Sequence, residues 1–138
     1  MKTNIQVILL VLLAAILPSE AQAAVTITSP SSDTTLRPST KVKRPMVIDF
    51  NASWCGPCRS LAPVFKAVAD KYKGKAAFVS VDIDRYPQTA KAFALRAVPT
   101  IVILMPGKRP TVAVGAQWLE ETDPVAAFEQ YVKSITGL

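Results

Sequence analysis

The chemistry available to this sequence is concentrated in one pentapeptide, Trp54-Cys55-Gly56-Pro57-Cys58, which holds both of its cysteines. A thiol acts as a nucleophile in its thiolate form, and two thiols this close can cycle between dithiol and disulfide. A short apolar run precedes the pair and helical spacing follows it, so Cys55 falls where a helix begins. Orphan amides and the macrodipole favour a thiolate at such a position. Cys55 is therefore the expected nucleophile. Cys58, further into the helix and more buried, is the expected resolving thiol, attacking a mixed disulfide at Cys55 and releasing the substrate. Two plainer readings stand beside this one. A static disulfide would close so short a loop that it constrains the unfolded chain little. Half of a zinc site would need a second chain to complete it. The sequence has no histidine, which excludes Ser-His and Cys-His catalysis and any mixed cysteine/histidine metal site. No metal and no cofactor is expected.

The elements that must position these thiols follow from the apolar pattern. Met46 to Phe50 is a run suited to a strand covered on both faces, which puts the carboxylate of Asp49 in an apolar place. Leu61, Val64, Phe65, Val68 and Tyr72 recur at helical spacing, so a helix is read from about Gly56 to Lys73, with Pro63 as a kink and Gly74 as its stop. A second central strand spans Ala76 to Ile83, and a short helix spans Pro87 to Leu95. Thr100 to Leu104 and Thr111 to Val114, joined through Pro106-Gly107, form an antiparallel hairpin. Asp123-Pro124 then opens a terminal helix that buries Val125, Phe128, Val132 and Ile135. Ahead of these elements, Ser29 to Lys43 is rich in Ser, Thr and Pro and reads as an extended or mobile lead-in, preceded by a possible edge strand at Val25 to Ile27. The order predicts an α/β fold with parallel pairing early and a hairpin late, in which residues 46–138 form the domain and 24–45 the lead-in.

With 138 residues, 50% of them hydrophobic and 19% charged, the chain suffices for one folded domain and excludes global disorder. The net charge of +6 gathers at Lys41, Lys43 and Arg44 and at Lys71, Lys73 and Lys75. These clusters read as solvated faces, with anionic phospholipid headgroups as the alternative partner. A nucleic-acid partner is not expected, because interleaved aromatics and a reading motif are lacking.

The first residues have the character of an export signal. Lys2 precedes an apolar run from Ile5 to Leu17, followed by Pro18, Ser19, Glu20 and the small-residue site Ala21-Gln22-Ala23. The run is shorter than the ~20 residues that cross a bilayer core, and no cysteine follows it to carry a lipid. Residues 1–23 are thus read as a signal peptide cleaved after Ala23, the mature protein as periplasmic, and its cysteines as lying where disulfides persist.

On these residues the chain resembles the thioredoxin family. The resemblance is carried by Val47-Ile48-Asp49-Phe50, Ala52, the WCGPC string, Ala62-Pro63, Val81-Asp82-Ile83-Asp84, Val98-Pro99-Thr100, Gly107 and Val114-Gly115-Ala116, over roughly Met46 to Leu138. It implies a thioredoxin-like three-layer α/β sandwich with a mixed central sheet, trimmed of the family's first helix. It implies that Asp49 is the buried carboxylate that exchanges the proton of Cys58. It implies that Pro99 is a cis-proline facing the disulfide, where Val98 pairs with an extended substrate strand. The substrate surface would comprise Trp54, Gly56, Pro57, Val98, Pro99, Thr100, Gly115 and Ala116, with Trp54, Gly115 and Ala116 rimming one shallow apolar groove. Two departures alter the surroundings of the site. Asn51 stands where many thioredoxins carry a second tryptophan, and Ser80 where they carry a lysine near the buried carboxylate. Without that lysine, Asp49 is expected to titrate higher than is usual for the family.

The spacing alone does not choose the direction of electron flow. Oxidant relatives often carry a histidine between the cysteines, whereas Gly56-Pro57 has none, so the resemblance favours a reductase of exported protein disulfides. It would act as a monomer, rereduced by a membrane electron-transfer partner. An oxidase or isomerase of exported proteins is the alternative. A reductase dedicated to cytochrome c maturation commonly has a central insertion that is not evident here. A non-catalytic binding module on the same fold is the remaining reading.

Overall fold

The computed structural model describes residues 27–138. The signal-peptide reading of residues 1–23, and Val25 and Thr26 of the possible edge strand, lie outside the described residues. Five strands, β1 (Ile27–Thr28), β2 (Met46–Asn51), β3 (Ala77–Asp82), β4 (Thr100–Leu104) and β5 (Thr111–Val114), form one sheet in the order β1-β3-β2-β4-β5. β1 and β2 run parallel to β3, while β4 is antiparallel to both β2 and β5. The helices are α1 (Gly56–Lys71), α2 (Pro87–Ala92) and α3 (Pro124–Thr136), with a short 3-10 turn at Gln117–Glu120 before α3.

The sheet is mixed and covered on both faces, as the sequence led us to expect. Side chains alternate across each strand. Val47, Phe78, Ile101 and Ile103 pack with Leu61, Phe65 and Val68 of α1 and with Phe128 and Val132 of α3. Ile48, Phe50, Val79, Val81, Val102 and Leu104 point the other way, toward Tyr86 and Phe93 at the two ends of α2. Every residue of β4 is buried, which explains why it reads as continuous apolar sequence rather than an alternation. Phe65 meets Phe78 at 5.4 Å and Phe128 at 5.9 Å between ring centres. These contacts lock α1 and α3 onto the same face. Glu129 of α3 also accepts from the Tyr72 hydroxyl at 2.9 Å and pairs with Lys71.

Helix ends differ from expectation for local reasons. α1 continues past Pro63 and stops at Lys71, with Tyr72 as its C-cap and Gly74 just beyond in a left-handed conformation at φ 82°. α2 ends at Ala92, not Leu95, because Ala94 takes a positive φ of 51°. No glycine marks that stop, so the sequence carries no sign of it.

The larger correction concerns residues 29–43. The segment read as an extended or mobile lead-in is folded against the domain. Leu36 is buried with Ile48, Phe50 and Val102, and Val42 packs on the same cluster. Asp33 accepts from the amides of Gln88 and Thr89 at 2.9 Å each, while the Thr89 hydroxyl donates to the Asp33 carbonyl. Asp33 thus caps the first turn of α2 from outside it. Among the described residues no helix precedes β2, and this segment covers the sheet there instead.

Candidate active site

β2 ends at Asn51 and α1 begins at Gly56, so residues 52–55 make the turn from strand to helix. Cys55 is the N-cap of α1, with φ −88° and ψ 112°, and its Sγ accepts from the amide of Cys58 at 3.2 Å. A sulfur thus occupies the place usually taken by a Ser or Asp oxygen, satisfying one of the orphan donors of the first turn. The same donor and the helix dipole would stabilise negative charge on that sulfur. Pro57, in the first turn, sits where its missing amide has no helical partner to lose.

Cys55 and Cys58 are bonded to each other, with their Cα atoms 5.3 Å apart. Cys58 was expected to be the more buried of the two, and the difference is slight, 4% exposed against 5% for Cys55. Direction rather than depth separates them. Cys55 caps the helix, while Cys58 lines a cavity of about 270 Å³ together with Asp49.

Asp49 follows Val47 by two residues and so lies on the α1 face of the sheet, 3% exposed. Burial raises its pKa from 3.8 to about 6, opposed by a hydrogen bond from Asn51. Its Oδ2 accepts from Asn51 Nδ2 at 3.2 Å, and its Oδ1 is buried without a hydrogen-bond partner among the described residues. Among the described residues no cation contributes to its titration, in keeping with Ser80 at the position of the family's lysine.

The Val98–Pro99 peptide is cis, as the resemblance implied. Val98 packs against the Ala52, Cys55 and Cys58 cluster. Among the described residues, neither the N–H nor the C=O of Val98 has a hydrogen-bond partner, so both are open to an extended chain. Pro99 itself is buried, and its carbonyl accepts from Gly115 N at 2.8 Å. Gly115 holds φ 92°, where a side chain would be strained.

The single groove expected around Trp54, Gly115 and Ala116 is instead two depressions. Trp54, Ile83, Arg96 and Val98 line one of about 430 Å³. Pro57, Val114, Gly115 and Ala116 line another of about 590 Å³. Gly56 lines neither depression and is half-buried in the first turn of α1. Thr100 is also corrected: it is 1% exposed and its hydroxyl donates to the Ala97 carbonyl at 2.8 Å, so its side chain braces the proline loop and presents nothing outward. Trp54 is 64% exposed and donates from Nε1 to Asp84 at 2.9 Å. The other tryptophan, Trp118, is core. Two partnerships escaped the sequence reading. Asp84 steadies Trp54 across 30 residues, and Asn51 Nδ2 donates to Ser80 Oγ at 2.8 Å. Both join residues on separate strands or loops; the only signal was that Asn51 and Ser80 depart together from the family pattern.

A mixed sheet sandwiched by helices, with a vicinal thiol pair capping the helix that follows its central strand, defines a thiol-disulfide oxidoreductase. The comparisons with known proteins agree. The thioredoxin family model matches residues 28–128. The chain is 38% identical over 88 residues to a thioredoxin of Synechocystis sp., spanning 64% of this chain and 80% of that one. It is 37% identical over 94 residues to a thioredoxin of Borreliella burgdorferi, spanning 68% and 75%. The crystal structure of thioredoxin from Malassezia sympodialis superposes with a TM-score of 0.64 at 32% identity, covering 78% of this chain and 91% of that one. The chain belongs to the thioredoxin family, and Cys55 and Cys58 are the redox pair of a disulfide reductase.

Proposed function

We propose that this thioredoxin is exported and reduces disulfides of periplasmic proteins. In the dithiol form the Cys55 thiolate attacks one sulfur of a substrate disulfide, forming a Cys55–substrate bond and releasing the other substrate sulfur as a thiolate, which takes a proton from water. Cys58 then gives its proton to Asp49 and attacks the Cys55 sulfur. The Cys55–Cys58 bond forms, the second substrate thiolate leaves and is protonated, and two electrons have passed from the protein to the substrate. Asp49 returns its proton to solvent. A membrane electron-transfer partner restores the dithiol. The substrate segment lies extended beside Val98 and Pro99, between the Trp54 depression and the Pro57–Gly115–Ala116 depression.

The observation that carries the direction is the environment of Cys55, one amide donor and a helix N-terminus with no histidine between the thiols. Export rests on the Lys2 and Ile5–Leu17 pattern with its Ala21-Gln22-Ala23 site. A Cys58→Ser chain expressed at full length should accumulate mixed disulfides with periplasmic proteins, in the periplasmic fraction and beginning at Ala24. Covalent partners found only in the cytoplasm would contradict export. Survival of the cellular role in a Cys55→Ser chain would instead favour a binding module.

A further inference from the structure

The surroundings of Asp49 hold more order than a buried carboxylate requires. Asn51 Nδ2 is placed among three acceptors: Asp49 Oδ2 and the Asp49 carbonyl at 3.2 Å each, and Ser80 Oγ at 2.8 Å. Ser80 is the register partner of Asp49 on β3, which fixes the hydroxyl beside the carboxylate. The cavity next to Asp49 is lined by Asn51 and Ser80, by Cys58 and Arg59 of α1, and by Asp82 of β3. Among the described residues, Arg59 and Asp82 are its only other charged lining groups; the β4 residue opposite Asp49 is the apolar Ile101. Arg59 is turned to the Ser53 carbonyl, to which it donates at 3.0 Å. The two carboxyl oxygens of Asp49 are therefore unequal, one bonded to an amide and one buried without a partner. Because an amide N–H can donate to the same oxygen in either protonation state, the proton is directed to the free oxygen.

We propose that Asn51, anchored by Ser80, is a positioning residue that holds Asp49 by one oxygen with a neutral donor and leaves the other free to exchange the proton of Cys58 in the cavity they share. The proposal rests on the dithiol cycle above and adds to it the pair that sets the pH at which Asp49 serves as base. A donor to the ionised carboxylate favours that form, so its loss leaves Asp49 protonated to higher pH and delays its action as a base.

The test uses the full mature chain, reduced, and 5,5′-dithiobis(2-nitrobenzoate) as the probe disulfide. The second equivalent of coloured thiolate reports the attack of Cys58 on the mixed disulfide at Cys55. Its rate is followed against pH, alongside the Asp49 carboxyl carbon by NMR. Asn51→Ala should move both midpoints upward by about one pH unit while keeping the high-pH rate. Ser80→Ala should move them the same way by less, and Ser80→Thr, which keeps the hydroxyl, should restore them. Unchanged midpoints in folded Asn51→Ala overturn the proposal, as does a slowing that is uniform in pH. If Asn51→Ala does not fold, unchanged midpoints in Ser80→Ala overturn it. A wild-type chain that never releases the second equivalent would refute the dithiol cycle, while the carboxyl titration would still decide the role of Asn51.

Discussion

Two aspartates on opposite faces of the sheet show how the same side chain is used for two purposes. Asp33 lies over the α2 face, where both its oxygens accept backbone amides. Asp49 lies under α1, with one amide donor and one oxygen without any. Partial desolvation alone would raise the pKa of Asp33, but the amides of Thr89 and Gln88, the Thr89 hydroxyl and the charge of Arg37 together hold it below the usual value. For Asp49 desolvation outweighs its single donor and the pKa rises to about 6. A fully satisfied carboxylate fastens one segment to another. A half-satisfied one holds a proton that can be moved near neutral pH, at a cost in stability.

The contrast is broken most sharply by removing the charge of Asp49. With a folded pKa near 6 and an unfolded value near 3.8, the native state binds more protons between those values, so stability falls as pH rises through that window and stays reduced above it. Asp49→Asn should therefore stabilise the protein by about 3 kcal/mol at pH 7, a gain that vanishes below about pH 4. Urea unfolding at both pH values checks this, and turnover with a protein disulfide should drop in the same variant. A destabilised Asp49→Asn at pH 7 would mean that the carboxylate is not strained by burial.

The face that Asp33 serves is probed through Leu36. Leu36→Ala should cost about 2 kcal/mol, the low end for a buried leucine, because it opens a void over Ile48, Phe50 and Val102. If this stretch were only a solvated lead-in, the substitution would leave the unfolding midpoint unmoved. Next in size, Thr100→Val should cost about 1 kcal/mol through the lost bond to Ala97 and slow substrate reduction by loosening the proline loop. The smallest effect sharpens the contrast. Asp33→Asn should lower the thermal midpoint slightly near neutral pH, and less in acid. A carboxylate with a depressed folded pKa contributes stability that is present above pH 3.8 and lost as pH falls through the folded value.

Much of this was legible in the residues. The covered strands β2 and β4, the hairpin β4–β5 and the Asp123-Pro124 start of α3 follow from apolar runs and capping chemistry, both local in sequence. Cys55 at a helix N-terminus and Asp49 in an apolar strand were equally readable, because each role depends on near neighbours. What escaped depends on distance. Leu36 is one large apolar residue in a polar stretch, and its burial is decided by a sheet face built from residues far along the chain. The same holds for Asp33 on α2, for Trp54 with Asp84, and for Asn51 with Ser80. Thr100 was misjudged because a β-branched residue beside a proline gives no sign of which way its hydroxyl turns.

The central claim, that this pair donates electrons to protein disulfides, is tested most directly by the reduction potential of Cys55/Cys58. The mature chain would be equilibrated against glutathione buffers with Trp54 fluorescence as the signal. For a two-electron couple, each ~30 mV corresponds to about 1.4 kcal/mol. A potential more negative than roughly −220 mV is the expected result. A value less negative than roughly −180 mV would contradict a reductant and make the protein an oxidant or isomerase.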